Sequence, residues 1–183
     1  LFPLDEDGNL GTSVVTKHEG GSNVVPGRQE SSHAHWSGFS PDGHYAFVAD
    51  LGLDGIVIYR VDQVKPAIIK HGFAASVPGG GARHMKFSVD GKFIYLLNEL
   101  TLSVTTFQYD SDAGTAVQLS TTPTLSEEVK SKEKFNSAAE ILVHPNGRFV
   151  YASNRGHDSV TSYEADSETG NLKVIEVEPI RGA

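Results

Sequence analysis

Four side chains in this sequence have the types needed to work on a small anion near neutral pH: His35, Arg83, Glu99 and Arg155. An imidazole can take a proton from water at that pH, since its ordinary pKa lies near 6.5. A guanidinium can stabilise an oxyanion as it develops, and a second one can grip a phosphate or carboxylate as a planar fork. Spacing makes these residues a group. His35 and Arg83 stand eight residues before Gly43 and Gly91, while Glu99 and Arg155 stand eight residues after Gly91 and Gly147. One step nearer these glycines come His84 and Glu140 on the leading side, and Asp50, Asn98 and Asn154 on the trailing side. His84 and Glu140 read equally as members of the group or as local caps of strand ends. Asp50, Asn98 and Asn154 read first as turn-forming side chains that bond nearby amides. His33, His84, Glu140 and Asn154 are the candidate substrate contacts around the four.

The elements that must position them follow from an internal repeat. Three segments align without a gap: Phe39–Asp50, Phe87–Asn98 and Val143–Asn154. Each carries Asp-Gly or Asn-Gly at the same place, between apolar runs, and that dipeptide is the strongest short hairpin signal. A third β-rich run follows each time, at Gly55–Tyr59, Ser103–Phe107 and Ser159–Tyr163. Two repeats then pass through a polar turn ending in Gly114 or Gly170 toward a fourth strand. Four antiparallel strands per repeat, at spacings of 48 and 56 residues, make an all-β β-propeller of about three and a half blades. The reading divides the chain into the end of one blade and a connection (1–30), blades at 31–78, 79–123 and 137–179, and an insertion at 124–136. Residues Ser126–Lys134 in that insertion are polar enough for a short helix or a lid. Leu4–Leu10 mirrors Ala165–Leu172, so the chain opens at a blade's third strand, and Gly182–Ala183 mirrors Gly81–Ala82 at the start of another blade.

In this register the first strand of a blade runs into the Asp-Gly turn and the second runs back. Residues equally far from the turn then lie side by side at the opposite end, which gathers the candidate group on one rim. Binding residues concentrate where loops meet a rigid scaffold.

Other chemistries lack support. Val77–Arg83 is glycine-rich but opens a strand and has no Lys-Ser/Thr ending, unlike a P-loop. No Gly-x-Ser-x-Gly elbow occurs. His33 and His35 share a strand face and could pair on a metal, but no third ligand is evident beside them. No metal or cofactor is therefore expected. The absence of cysteine removes disulfides, thiolate zinc sites and thiol nucleophiles, and fits a reducing, cytoplasmic setting. A net charge of -8 argues against nucleic acid or an anionic membrane as partner. No apolar run reaches the length of a membrane span and no signal peptide is evident, although residue 1 is leucine rather than methionine.

Taken in order, Ser32–His35 ahead of Ser-Pro-Asp-Gly, Gly81–His84, Asn98–Leu100, Ala139–Ile141 and Asn154–Asp158 resemble the lactonase-type seven-bladed propeller family. That family includes 6-phosphogluconolactonases and carboxy-muconate lactonising enzymes. The resemblance runs from about Ser31 to the C-terminus. It departs at Ala82, where proline is usual, and in length, since a closed ring of this kind needs roughly twice as many residues. The resemblance implies that His35 and Glu99 are the acid/base pair and that Arg83 and Arg155 bind the anion. It implies hydrolysis of a small anionic lactone, 6-phosphoglucono-1,5-lactone first, with muconate cycloisomerisation as the alternative. A non-catalytic binding platform and a metal-dependent lactonase using His33 and His35 are the other readings. The rest of the propeller, or another copy of the chain, is expected to complete the ring.

Overall fold

The computed structural model describes residues 1–62, 64–65, 67–133 and 135–180. Among them are twelve strands in three separate four-stranded sheets, each an antiparallel meander in chain order. The first sheet holds β1 (Ala34–Phe39), β2 (Tyr45–Asp50), β3 (Gly55–Asp62) and β4 (Ala67–Ala75). The second holds β5 (Ala82–Phe87), β6 (Phe93–Asn98), β7 (Ser103–Asp110) and β8 (Thr115–Pro123). After one helical turn, α1 (Glu127–Lys130), the third holds β9 (Ser137–Val143), β10 (Phe149–Arg155), β11 (Ser159–Ala165) and β12 (Leu172–Pro179). These are propeller blades.

The repeated turns form for local reasons. Gly43, Gly91 and Gly147 sit at φ of 73°, 74° and 74°, a region closed to most side chains. Ahead of the first, Asp42 Oδ1 accepts from Ser40 Oγ at 2.5 Å and from the His44 amide at 3.0 Å. Ser88 and Asp90 repeat this in the second blade. The third substitutes His144 and Asn146, with Nδ1 of the histidine accepting from the Asn146 amide.

The core lies between blades. Alternation along β6 divides its side chains: Ile94 and Leu96 enter a cluster with Phe47, Ile56, Ile58 and Phe107, while Phe93, Tyr95 and Leu97 enter one with Ile141, Val150 and Tyr163. Turns between third and fourth strands dock on the preceding blade. A Cβ on Gly170 would lie 2.5 Å from Phe93 Cδ1, and one on Gly114 would lie 2.1 Å from Tyr45 Cε1, so each aromatic ring presses directly on a glycine.

The insertion is mostly irregular. Ser126 caps α1 by accepting from the Val129 amide, and Lys134 lies outside the described residues. At the start of the chain, the expected third strand is reduced to a tight hairpin closed by the bridge Leu4↔Leu10. Residues 11–33 form no strand and run along the first blade, where His18 stacks on Tyr59 at 6.0 Å. Gly182 and Ala183 lie outside the described residues. No helix among the described residues is long and apolar enough to cross a membrane.

Candidate active site

Each first strand carries a β-bulge near its start. Ala34 pairs with Asp50 and Trp36 with Ala49, which leaves His35 as the extra residue. Ala82 pairs with Asn98 and His84 with Leu97, which leaves Arg83. In the third blade the shift falls across Ala139 and Glu140, between the pairs Ala138↔Asn154 and Ile141↔Ala152. A bulge turns its side chain out of strict alternation and is common beside active sites. It also slides the ladder: the Leu51 amide donates to His33 O, and the Glu99 amide donates to Gly81 O. The pairing is one step off the even count about Gly43 from the turn itself, where Phe39 pairs with Ala46, and the bulge adds a second step by inserting a residue on one side only. The rim assignment survives this slip.

At that rim a depression of about 370 Å³ is lined by His33, His35, Arg83, Glu99 and Arg155, joined by Arg28 from the segment ahead of β1. Glu99 is its hub. Arg28 Nη2 donates to Oε1 at 2.7 Å, Arg83 Nε donates to Oε2 at 2.8 Å, and Arg155 Nη2 stands 3.4 Å from Oε2. Burial pushes the Glu99 carboxyl up, but the hydrogen bonds from Arg28 and Arg83 and the charge of Arg155 outweigh it and hold it below the usual carboxylate range. Glu99 is therefore an ionised acceptor at neutral pH.

The pKa of His35 is also displaced downward, which for an imidazole favours the neutral form. Burial, then the charge of Arg83 and of a neighbouring His84, lowers its pKa below the ordinary 6.5, while Glu99 opposes the shift. The His35 ring meets the His84 ring edge to face at a centroid distance of 5.2 Å. A neutral imidazole beside fixed guanidiniums is suited to accept a proton.

The other candidates divide. His33 lines the depression, with its amide donating to Asp50 Oδ1 at 2.7 Å. No third His, Cys, Asp or Glu among the described residues joins His33 and His35 as a ligand set. His84 and Glu140 stand beside the depression rather than in its lining, with Nδ1 3.0 Å from Oε1 but without hydrogen-bond alignment. The Glu140 carboxylate also accepts from the Ile141 amide, as a strand cap would. Asn154 is buried beneath the surface. Its Nδ2 donates to Ser159 Oγ and Thr161 Oγ1, and Asn98 makes the matching bonds to Ser103 and Thr105. These two asparagines tie the second strand to the third, and neither lines the depression. Asp50, the first-blade counterpart, accepts from the His33 and Leu53 amides and meets His18 Nδ1 at 2.5 Å.

Arg28 escaped the repeat-based reading because it lies where no repeat exists. No sequence signal marks it; the structure shows that its neighbour Gln29 is buried, and a buried glutamine needs fixed partners. Gln29 Nε2 donates to Leu51 O at 2.8 Å and to Asp54 Oδ1 at 2.5 Å. The Asp54 carboxylate in turn accepts from the Gly79 and Gly81 amides, just ahead of β5. One latch thus seats the backbones that present Arg28 and Arg83.

Bladed sheets with a guanidinium-bound carboxylate and a bulge-borne imidazole at one end of the strands define a propeller whose polar site sits on its rim. Residues 1–183 match the family described as Lactonase, 7-bladed beta-propeller, and the chain belongs to that family. It is 33% identical over 177 residues to a 6-phosphogluconolactonase of Bacillus subtilis, covering 96% of this chain and 49% of that protein. It is 34% identical over 187 residues to a 6-phosphogluconolactonase of Formosa agariphila, covering 100% of this chain and 51% of that one. The periplasmic gluconolactonase of Pseudomonas aeruginosa superposes with a TM-score of 0.87 at 32% identity, over 99% of this chain and 50% of that one. The chain spans about half the length of the curated relatives it matches.

Proposed function

We propose that the protein hydrolyses a sugar-acid lactone, 6-phosphoglucono-1,5-lactone foremost, with the rim depression as its active site. The observation that carries this is a lowered-pKa imidazole, His35, in the same depression as three guanidiniums held by one carboxylate. In this reading His35 takes a proton from water as the water oxygen attacks the lactone carbonyl carbon. Arg83, the least exposed guanidinium, stabilises the oxyanion of the tetrahedral intermediate. The bond from that carbon to the ring oxygen then breaks, and the imidazolium returns the proton to the departing alkoxide. Arg155 holds the anionic end of the substrate.

Resemblance to the family paired Glu99 with His35 as acid and base. Its three guanidinium partners favour another role: an ionised Glu99 fixes the arginines, and His35 serves as base and then acid. Relatives named as lactonases support the reaction class. The lack of cysteine favours a cytoplasmic setting.

The test is lactone depletion by the full-length protein, with and without a chelator, alongside a carboxy-muconolactone. His35→Ala should lower turnover of the phosphorylated lactone by roughly 10²–10⁴-fold, as for a positioned base. Near-normal turnover in that variant, or turnover of the muconate compound alone, would exclude the reading.

A further inference from the structure

Resting on the lactonase reading and extending it to substrate choice, we propose that Arg28 and Arg155 form a two-guanidinium clamp for a phosphate monoester. Arg28 is then the residue that selects a phosphorylated lactone over an unphosphorylated one.

The three arginines on Glu99 are not equivalent. Arg83 is 14% exposed, with Nε committed to Glu99 and Nη1 to the carbonyl oxygen of Ala139. Arg28 and Arg155 are 42% and 47% exposed. Arg28 reaches Oε1 and Arg155 reaches Oε2, each through Nη2, and Arg155 Nη2 also donates to Ala138 O at 3.5 Å, which leaves its other guanidinium nitrogens uncommitted among the described residues. Two half-exposed guanidiniums therefore stand on the two oxygens of a single carboxylate, with N–H groups left for a ligand in the depression. Their separation is at most the width of a carboxylate plus two polar contacts, a gap that one phosphate can bridge.

Charge points the same way. Three guanidiniums and one carboxylate leave the depression with two net positive charges while His35 is neutral. A phosphate monoester carries roughly 1.5 to 2 negative charges at neutral pH, so it neutralises the site where a neutral sugar would not. Arg28 is also held in place before any ligand arrives. The amides of Arg28 and Gln29 both donate to Val25 O at 3.1 Å, the Val25 amide donates back to Gln29 Oε1 at 3.1 Å, and the Gln29–Asp54 latch anchors this turn beneath. A clamp whose parts are fixed in advance loses little entropy when it closes on its ligand.

The experiment uses full-length protein and calorimetric binding of 6-phosphogluconate and of gluconate, with turnover of the two corresponding lactones measured in parallel. Arg28→Gln and Arg155→Gln should each weaken 6-phosphogluconate binding by roughly 10–100-fold, the usual worth of a hydrogen bond to a charged group, and weaken gluconate binding much less. Arg28→Lys should recover part of the loss, because a point charge attracts the phosphate but cannot fork onto it. An equal loss for both ligands in Arg28→Gln would overturn the clamp, leaving Arg28 only as a support for Glu99. Equal affinity of the unmodified protein for both ligands would overturn it as well. Arg28-dependent binding of 6-phosphogluconate without turnover of either lactone would uphold the clamp and refute the lactonase reading.

Discussion

Glu99 and His35 show how one depression can hold opposite charge preferences. Burial acts against the charged form of both, yet the outcomes differ because their neighbours differ. Glu99 has guanidiniums within hydrogen-bond reach and stays ionised. His35 has Arg83 and His84 on its flank, and their charges add to the effect of burial. A base must be deprotonated to work, so activity should rise with pH through the pKa of His35 and reach half its plateau below pH 6.5. In Arg83→Gln one of the depressing charges is gone, so the acid limb of a pH–kcat/KM profile should move toward higher pH as the rate falls. An acid limb that stays in place would show that a different group titrates. That His35, Arg83, Glu99 and Arg155 gather at one rim was legible in the sequence because the repeat numbers them. Arg28 was not, since its contact with Glu99 spans 71 residues and no local pattern encodes such a pairing.

At the scale of elements, bulges and glycine contacts decide where side chains go. Asp-Gly turns announce the hairpins, but the bulges at His35 and Arg83 leave no mark that period-2 alternation could reveal. Ladder positions beyond them can be counted from sequence only to within a residue or two. The turn glycines at blade contacts have a checkable role. Gly170 combines a φ of 69° with an open side that faces the ring of Phe93, so Gly170→Ala is strained twice over. Thermal or urea unfolding should show a loss of about 1–3 kcal/mol, the usual range for overpacking, with added strain from the positive φ. Gly8 also has positive φ but meets nothing within 4 Å, and Gly8→Ala should cost clearly less.

For the molecule as a whole, the blades differ in how they are covered. In the middle sheet β6 is buried along its full length, on both faces. In the last sheet β10 and β11 alternate: Val150, Ala152 and Tyr163 are buried against the middle blade, while Tyr151, Val160 and Ser162 stay half exposed on the other side. By the repeat, these match Tyr95, Val104 and Thr106, all buried between blades. The curated relatives are about twice as long as this chain, and we expect the remainder of such a protein to cover this face. Val160→Asp should then destabilise the full-length protein by about 3–5 kcal/mol, as an unpaired buried charge does, and the 183-residue chain much less. Equal loss in both would mean that the face is not covered by the longer protein.

The three four-stranded blades, their strand order and the rim on which polar residues gather were legible in the sequence, whereas the partial blade expected at the start of the chain is only a hairpin. A repeat with Asp-Gly and Asn-Gly turns fixes the hairpins locally, and alternation then assigns each residue to a face. Only the tertiary structure decided what these residues do to one another. It placed Arg28 on Glu99, and it turned Asn154 inward to Ser159 and Thr161 rather than toward the depression. The physical reason is distance along the chain. Turns and alternation act over a few residues, whereas an ion pair or a shift in pKa depends on which distant groups packing brings within about 4 Å.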